Sequence, residues 1–115
     1  MNNIHNLTIV IVTYRTDEKI LKDCLNSIDP QVNILLVENS KDIAVKEKLE
    51  NSYPNVKVLL SGSNLGYGAG NNFGLSRVKT KFALVLNPDV TLEKKFFSII
   101  NNYLDQQINF HIIGV

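Results

Sequence analysis

The chain has 115 residues, one domain's worth of sequence and enough to bury a core without disulfides or structural metals. Its apolar fraction of 44% and charged fraction of 20% are those of an ordinary globular protein. Twelve basic and eleven acidic residues leave a net charge of +1, scattered along the chain without the basic stripe that neutralises phosphates, so nucleic acid is not an expected partner.

The first residues, Met1-Asn2-Asn3-Ile4-His5-Asn6, lack the basic start and long apolar stretch of a secretory signal. Apolar runs further on are strand-sized, well below the roughly 20 residues of a spanning helix. The expectation is a cytoplasmic protein, with peripheral attachment to the inner face of a membrane left open. Leu7 to Val12 is short, apolar and rich in β-branched residues, as in a strand buried on both faces of a parallel sheet. Thr16, Asp17 and Glu18 suit a helix start, and Ile20, Leu21, Cys24, Leu25 and Ile28 follow at helical spacing until Pro30. Cys24 is the only cysteine, so it reads as a small core residue with no disulfide partner in the chain.

The pattern then repeats. Ile34 to Val37 reads as a second buried strand, and Ser40 and Asp42 open a helix through Ala44, Val45 and Leu49. After the Pro54-Asn55 turn, Val56 to Leu60 reads as a third strand. A glycine-rich stretch, Gly62 to Gly74, leads into a short helix ending near Val78. Phe82 to Leu86 reads as a fourth strand, Thr91 as the cap of a helix carrying Phe96, Phe97, Ile100, Tyr103 and Leu104, and His111 to Val115 as a fifth strand. Strands alternating with helices predict an α/β fold with a mostly parallel sheet and flanking helices. A core-like strand at the end of the sequence leads us to expect a domain that continues past residue 115.

Ligands of open parallel sheets sit beyond the carboxyl ends of the strands. The segments there are Thr13-Tyr14-Arg15, Glu38-Asn39-Ser40, the stretch from Ser61 to Asn72, and Asn87-Pro88-Asp89. All are polar, and their convergence on one sheet edge outweighs any single motif. Each also has a plain reading. Thr13 and Thr16 can start a helix, Tyr14 can pack or stack on a base, and Arg15 can be a solvated surface residue. Glu38-Asn39-Ser40 can be turn chemistry, or Glu38 can accept from a nucleobase N–H while Asn39 reads another edge. Gly66, Gly68, Gly70 and Gly74, with Asn64, Asn71 and Asn72, form a plain loop or a backbone that approaches a ligand closely at a helix start. Pro88 stops its strand and holds Asn87 extended, which presents Asp89 at the strand end. There it can serve an Asx-type turn or hold Mg²⁺ or Mn²⁺ together with diphosphate oxygens and water. Neither the P-loop pattern nor a dinucleotide G-x-G-x-x-G after the first strand is present.

Taken together, these segments resemble the inverting GT-A-fold glycosyltransferases of the "family two" type, rhamnosyltransferase-like members above all. The resemblance runs from Ile9 to Val115 and is carried by Val12-Thr13-Tyr14, by Val37-Glu38-Asn39-Ser40 with Asp42, by Asn64 to Gly74, and by Leu86-Asn87-Pro88-Asp89-Val90. It implies a Rossmann-like nucleotide-binding half of a GT-A fold. It also implies transfer of a sugar from a nucleoside-diphosphate donor (dTDP- or UDP-linked) to a saccharide or lipid-linked acceptor, in bacterial surface polysaccharide synthesis. Thr13, Tyr14, Arg15, Glu38, Asn39, Asn64, Gly66, Gly70, Asn72 and Asn87 would line the donor nucleotide, and Asp89 would reach a divalent metal. Two departures stand out: Glu38-Asn39 replaces the usual Asp-Asn, and Asn87 replaces the first aspartate of an Asp-x-Asp motif. The carboxylate that deprotonates the acceptor lies further along in such enzymes, so no catalytic base is assigned here. A non-catalytic nucleotide-binding or interaction module of the same origin is the alternative. A nucleotidyltransferase ranks last, because the first strand is not followed by a glycine-rich basic loop.

Overall fold

The computed structural model describes residues 3–105 and 111–114. A 3-10 turn at Ile4–Asn6 leads into β1 (Leu7–Thr13), followed by α1 (Glu18–Asn26), β2 (Asn33–Glu38), α2 (Ile43–Ser52) and β3 (Val56–Leu60). The chain continues through α3 (Tyr67–Leu75), β4 (Phe82–Val85), α4 (Lys95–Asp105) and β5 (His111–Gly114). The five strands form one sheet in the order β3-β2-β1-β4-β5, and every neighbouring pair is parallel. The expected mostly parallel α/β fold is therefore what the chain adopts. The expected fifth strand reaches one residue past Gly114, and Val115 lies outside the described residues.

β1 is buried along its whole length, which explains its unbroken apolar run. Alternate residues serve opposite faces. Leu7, Ile9 and Ile11 join Ile34 and Leu36 of β2 in one core cluster with Leu21, Cys24 and Leu25 of α1 and Phe97, Ile100 and Leu104 of α4. Val10, Val12 and Val37 point to the other face, where α3 lies. Gly74 is so close there that a Cβ would fall 2.7 Å from Val10 Cγ1 and 2.9 Å from Val37 Cγ2. The last two glycines of the α3 block thus serve sheet packing: only a residue without Cβ lets this helix lie on branched valines.

Helix starts follow the expected capping chemistry in two of three places. Asp17 accepts from Ile20 N–H at 3.1 Å, and Asp42 accepts from Val45 N–H at 3.2 Å. Thr91 does not cap a helix. Leu92 N–H is instead drawn to Ser27 Oγ at 3.0 Å, and α4 begins only at Lys95. Two residues of the apolar helical patterns sit outward: Ile20 of α1 is 45% exposed and Tyr103 of α4 is 47% exposed. α3 ends at Leu75, ahead of the expected end near Val78. At the sheet edge, Glu50 accepts from Val58 N–H at 2.8 Å while Lys46 Nζ donates to Val58 O at 2.7 Å. An i,i+4 ion pair thereby occupies ladder groups of β3 that would otherwise be open to another strand.

Candidate functional site

The strand order places β1 between β2, which follows it in sequence, and β4, which enters from the far side. That is the switch point at which parallel sheets leave a crevice beyond their carboxyl ends. A cleft of about 420 Å³ opens beside it, over the ends of β1 and β2, walled by Thr13-Tyr14-Arg15-Thr16, Glu38-Asn39-Ser40 and Ser63-Asn64, with Leu21, Asp42 and Val45 also lining it. Of the sequence candidates it gathers Thr13, Tyr14, Arg15, Glu38, Asn39 and Asn64.

Thr13 and Glu38 are register partners at the ends of adjacent strands. The two residues are 2% and 7% exposed, and Thr13 Oγ1 donates to Glu38 Oε1 at 2.8 Å. A carboxylate at this depth needs a partner, and the threonine hydroxyl supplies one. Asn39 is only 1% exposed. Its N–H donates to Thr13 O at 2.8 Å, its Nδ2 donates to Gly66 O at 3.1 Å, and its Oδ1 accepts from Ser61 Oγ at 2.8 Å. Both ends of the amide are thus engaged within the protein, and Asn39 joins the β2 end to the segments on either side of the cleft. Tyr14 and Arg15 are exposed at the mouth, with the Arg15 guanidinium carbon 5.1 Å from the Tyr14 ring centre. Arg15 takes φ 52°, a left-handed conformation that side chains adopt at a cost of about 1 kcal/mol, and this sharp bend turns the chain from β1 towards α1.

Gly66, Gly70, Asn72, Asn87 and Asp89 do not wall this cleft. Gly66 takes φ 84° and caps α3 without a side-chain bond, while Asn64 Oδ1 accepts its N–H at 3.1 Å. A Cβ at Gly70 would lie 2.8 Å from Val12 Cγ1 and 3.1 Å from Asn39 Nδ2, so this position backs the site through packing. Within the asparagine pair, Asn72 is exposed whereas Asn71 is buried, with no hydrogen-bond partner for its Oδ1 among the described residues.

Past β4, Leu86 N–H still bonds Val10 O at 3.0 Å, and the chain then turns: Val90 N–H reaches Asn87 O at 3.2 Å. Asn87-Pro88-Asp89-Val90 is a β-turn with proline in the position its fixed φ favours. Asn87 and Asp89 are exposed on it. Tyr67, the first residue of α3, donates its hydroxyl to Asn87 Oδ1. Sequence reasoning did not select Tyr67, because nothing local to either residue announces a bond across 20 positions. Beneath the turn, Cys24 Sγ lies 3.9 Å from Asn87 O, and its thiol is pushed up to about 11 by burial and by the nearby Asp89 carboxylate.

Asp89 offers a single carboxylate, and no three His, Cys, Asp or Glu side chains gather as metal ligands among the described residues. Mg²⁺ and Mn²⁺ commonly take one or two carboxylates and complete their shell with phosphate oxygens and water. The residues therefore fit a cation that arrives with a diphosphate better than a resident ion. No helix among the described residues is long and apolar enough to cross a membrane.

The sequence profile of glycosyl transferase family 2 matches residues 8–112. The low-salt glycan biosynthesis hexosyltransferase Agl10 of Haloferax volcanii is 30% identical over 96% of this chain and 36% of its own length. An N-acetylglucosaminyl-diphospho-decaprenol L-rhamnosyltransferase of Mycobacterium tuberculosis is 29% identical over 73% of this chain and 32% of its own length. The chain thus spans about a third of these curated relatives. Crystal structures of Staphylococcus aureus TarS share the fold, with TM-scores of 0.71 for residues 1–349 and 0.70 for the same fragment in complex with UDP. Identities are 20% and 23%, and each match covers 87% of this chain and 32% of the TarS chain.

Proposed function

The chain belongs to glycosyl transferase family 2, and from that premise we propose that it binds a nucleoside-diphosphate sugar, dTDP- or UDP-linked. The sugar then passes with inversion to a saccharide or lipid-linked acceptor in surface polysaccharide synthesis, with the protein in the cytoplasm or at the inner face of the membrane. One observation carries this reading: the carboxyl ends of β1 and β2 and the segment after β3 close on a single cleft of about 420 Å³. That volume lies in the range of small-molecule sites. The related rhamnosyltransferase and the UDP complex of TarS support the donor class.

In this reading Glu38 accepts from an N–H of the base while Thr13 holds its other side, and Tyr14 and Arg15 form the exposed wall against the nucleoside. Asn39 lines the cleft and braces it through its bonds to Gly66 O and Ser61 Oγ, with a second amide N–H left for the nucleotide. Gly66, Gly70 and Asn72 flank the nucleotide as part of the α3 segment. Asn64 lines the cleft, and Asn87 and Asp89 stand at the diphosphate end. A divalent cation, when bound with the donor, supplies positive charge to the departing diphosphate, and Asp89 is the residue that would hold it. Inverting transfer also needs a carboxylate to take the acceptor proton as its oxygen attacks the anomeric carbon. No residue among 1–115 is assigned that role, so the chain's part is to bind and orient the donor.

Calorimetric titration with UDP and dTDP, with and without Mn²⁺, tests the reading. Saturable binding of at least one nucleotide, tightened by Mn²⁺, is the expected result. Failure of both to bind under either condition rejects it.

A further inference from the structure

Asn87 stands exposed at the carboxyl end of β4, and its side chain is held by a hydrogen bond. The Tyr67 hydroxyl donates to Asn87 Oδ1. Tyr67 itself is anchored at its base: Gly66, directly before it, accepts from Asn39 Nδ2 at 3.1 Å and has its own N–H bonded to Asn64 Oδ1 at 3.1 Å. Asn87 is anchored as the first residue of the turn closed by Val90 N–H. The bond therefore joins two backbones that are each already held, one from the glycine segment and one from the end of β4. It also engages one half of the amide and leaves the other. A carboxamide has one acceptor oxygen and one donor nitrogen. With the oxygen engaged by a phenol, the nitrogen remains, and Asn87 Nδ2 has no partner among the described residues.

We propose that Tyr67 is a positioning residue of the donor site: it holds the Asn87 amide so that Nδ2 is presented to the oxygens of the donor's diphosphate. This rests on the donor-site reading above and adds to it a residue and a direction. In place of a second carboxylate, the site carries a neutral hydrogen-bond donor for the anion. Part of the diphosphate affinity is then independent of any cation.

The test uses the 115-residue chain and its Tyr67→Phe and Asn87→Asp variants. Calorimetry compares UDP with uridine, and dTDP with thymidine, each with and without Mn²⁺. Tyr67→Phe loses one hydroxyl from an exposed ring, so folding should persist. Without metal it is expected to weaken nucleoside diphosphate binding about fivefold, the size of one ordinary hydrogen bond, and to leave nucleoside binding unchanged. Asn87→Asp keeps an acceptor for Tyr67 and so keeps the two segments joined. Because it replaces the donor nitrogen with an anionic oxygen, metal-free diphosphate binding should fall about tenfold or more, with much of the loss recovered on adding Mn²⁺. A purely structural bond predicts otherwise, since Tyr67→Phe would then weaken uridine and UDP binding alike, whereas the added charge of Asn87→Asp would repel a nearby diphosphate in either case. Unchanged diphosphate affinity in either variant overturns the proposal, as does an equal loss of nucleoside and diphosphate binding. If the unaltered chain binds neither nucleotide, the donor-site reading fails and this proposal with it. If it binds and the variants match it, only the role of Tyr67 and Asn87 falls.

Discussion

Replacing Thr13 with valine removes one hydroxyl from the wall of the cleft while keeping a β-branched side chain of similar shape in β1. The hydroxyl donates to Glu38 Oε1 at 2.8 Å, and both residues are more than nine-tenths buried. A hydrogen bond to a charged group contributes about 1.5–3 kcal/mol. Glu38 borders the cleft, where water can replace part of the lost contact, so the expected cost is at the lower end, about 1.5 kcal/mol. For a domain of this length that corresponds to a fall in Tm of roughly 6–10 °C. Thr8→Val provides the comparison within the same strand. Thr8 Oγ1 pairs with Thr80 Oγ1, a neutral partner whose hydroxyl also bonds Phe82 O at 3.0 Å, so its loss strands no charge. Thermal unfolding followed by circular dichroism should therefore show Thr13→Val clearly less stable than Thr8→Val. Equal stability of the two variants, or a smaller loss at Thr13, would refute the view that this hydroxyl supports the Glu38 carboxylate.

Other positions give equally direct checks. Gly74→Ala forces a Cβ to within 2.7 Å of Val10 Cγ1, and overpacking of that kind costs about 1–3 kcal/mol, whereas Gly68→Ala meets nothing within 4 Å and should gain up to about 1 kcal/mol of helix propensity; urea unfolding of the pair separates packing glycines from permissive ones. The Cys24 thiol, held up to about 11 by burial first and by Asp89 second, should stay unreactive to disulfide reagents at pH 8 in the folded chain and react promptly in urea. The folded thiol titrates above its ordinary value of 9.0, so its contribution to stability is complete below about pH 9 and is lost as pH rises towards 11; Cys24→Ala should flatten that alkaline decline. Glu50 is held below its ordinary value by its hydrogen bond from Lys46 and then by Val58 N–H. Its contribution is therefore present above about pH 4.5 and lost on acidification, and Glu50→Gln should shrink the loss of stability between pH 5 and about pH 3.

The parallel α/β fold was legible because its signals are local. Leu7 to Thr13 is apolar throughout because both faces of β1 are covered, and Asp17 and Asp42 mark helix starts by a chemistry that acts over three residues. Local reasoning failed where a distant group intervened. Thr91 has the form of a cap, yet the chain after it is held by Ser27, so α4 starts later. The glycines after β3 were read as a plain loop or as backbone that approaches a ligand closely. Gly70 and Gly74 make room for Val12, Val10 and Val37, a requirement set by the opposing strands and invisible in the glycine block itself. Convergence of the strand ends was readable from the alternation of elements, since it follows from a parallel sheet alone. The pairings inside the site were not, because Thr13 with Glu38 depends on strand register and Tyr67 with Asn87 on how α3 sits over the sheet.

In the proposed function the strand-end cleft holds the nucleotide. Amide chemical shifts of the labelled chain, followed during titration with UDP and dTDP in the presence of Mg²⁺, test it most directly. Shifts should concentrate at Thr13 to Thr16, Glu38 to Ser40, Asn64 to Tyr67, and Asn87 with Asp89. The opposite end of the sheet provides the counter-site, a second hollow of about 300 Å³ lined by Thr8, Asn33, Lys57, Arg77, Lys79 and Thr80, whose cations could attract an anion non-specifically. Saturable shifts confined to the first group are the predicted result. Shifts confined to that basic hollow, or none at either end, would contradict it.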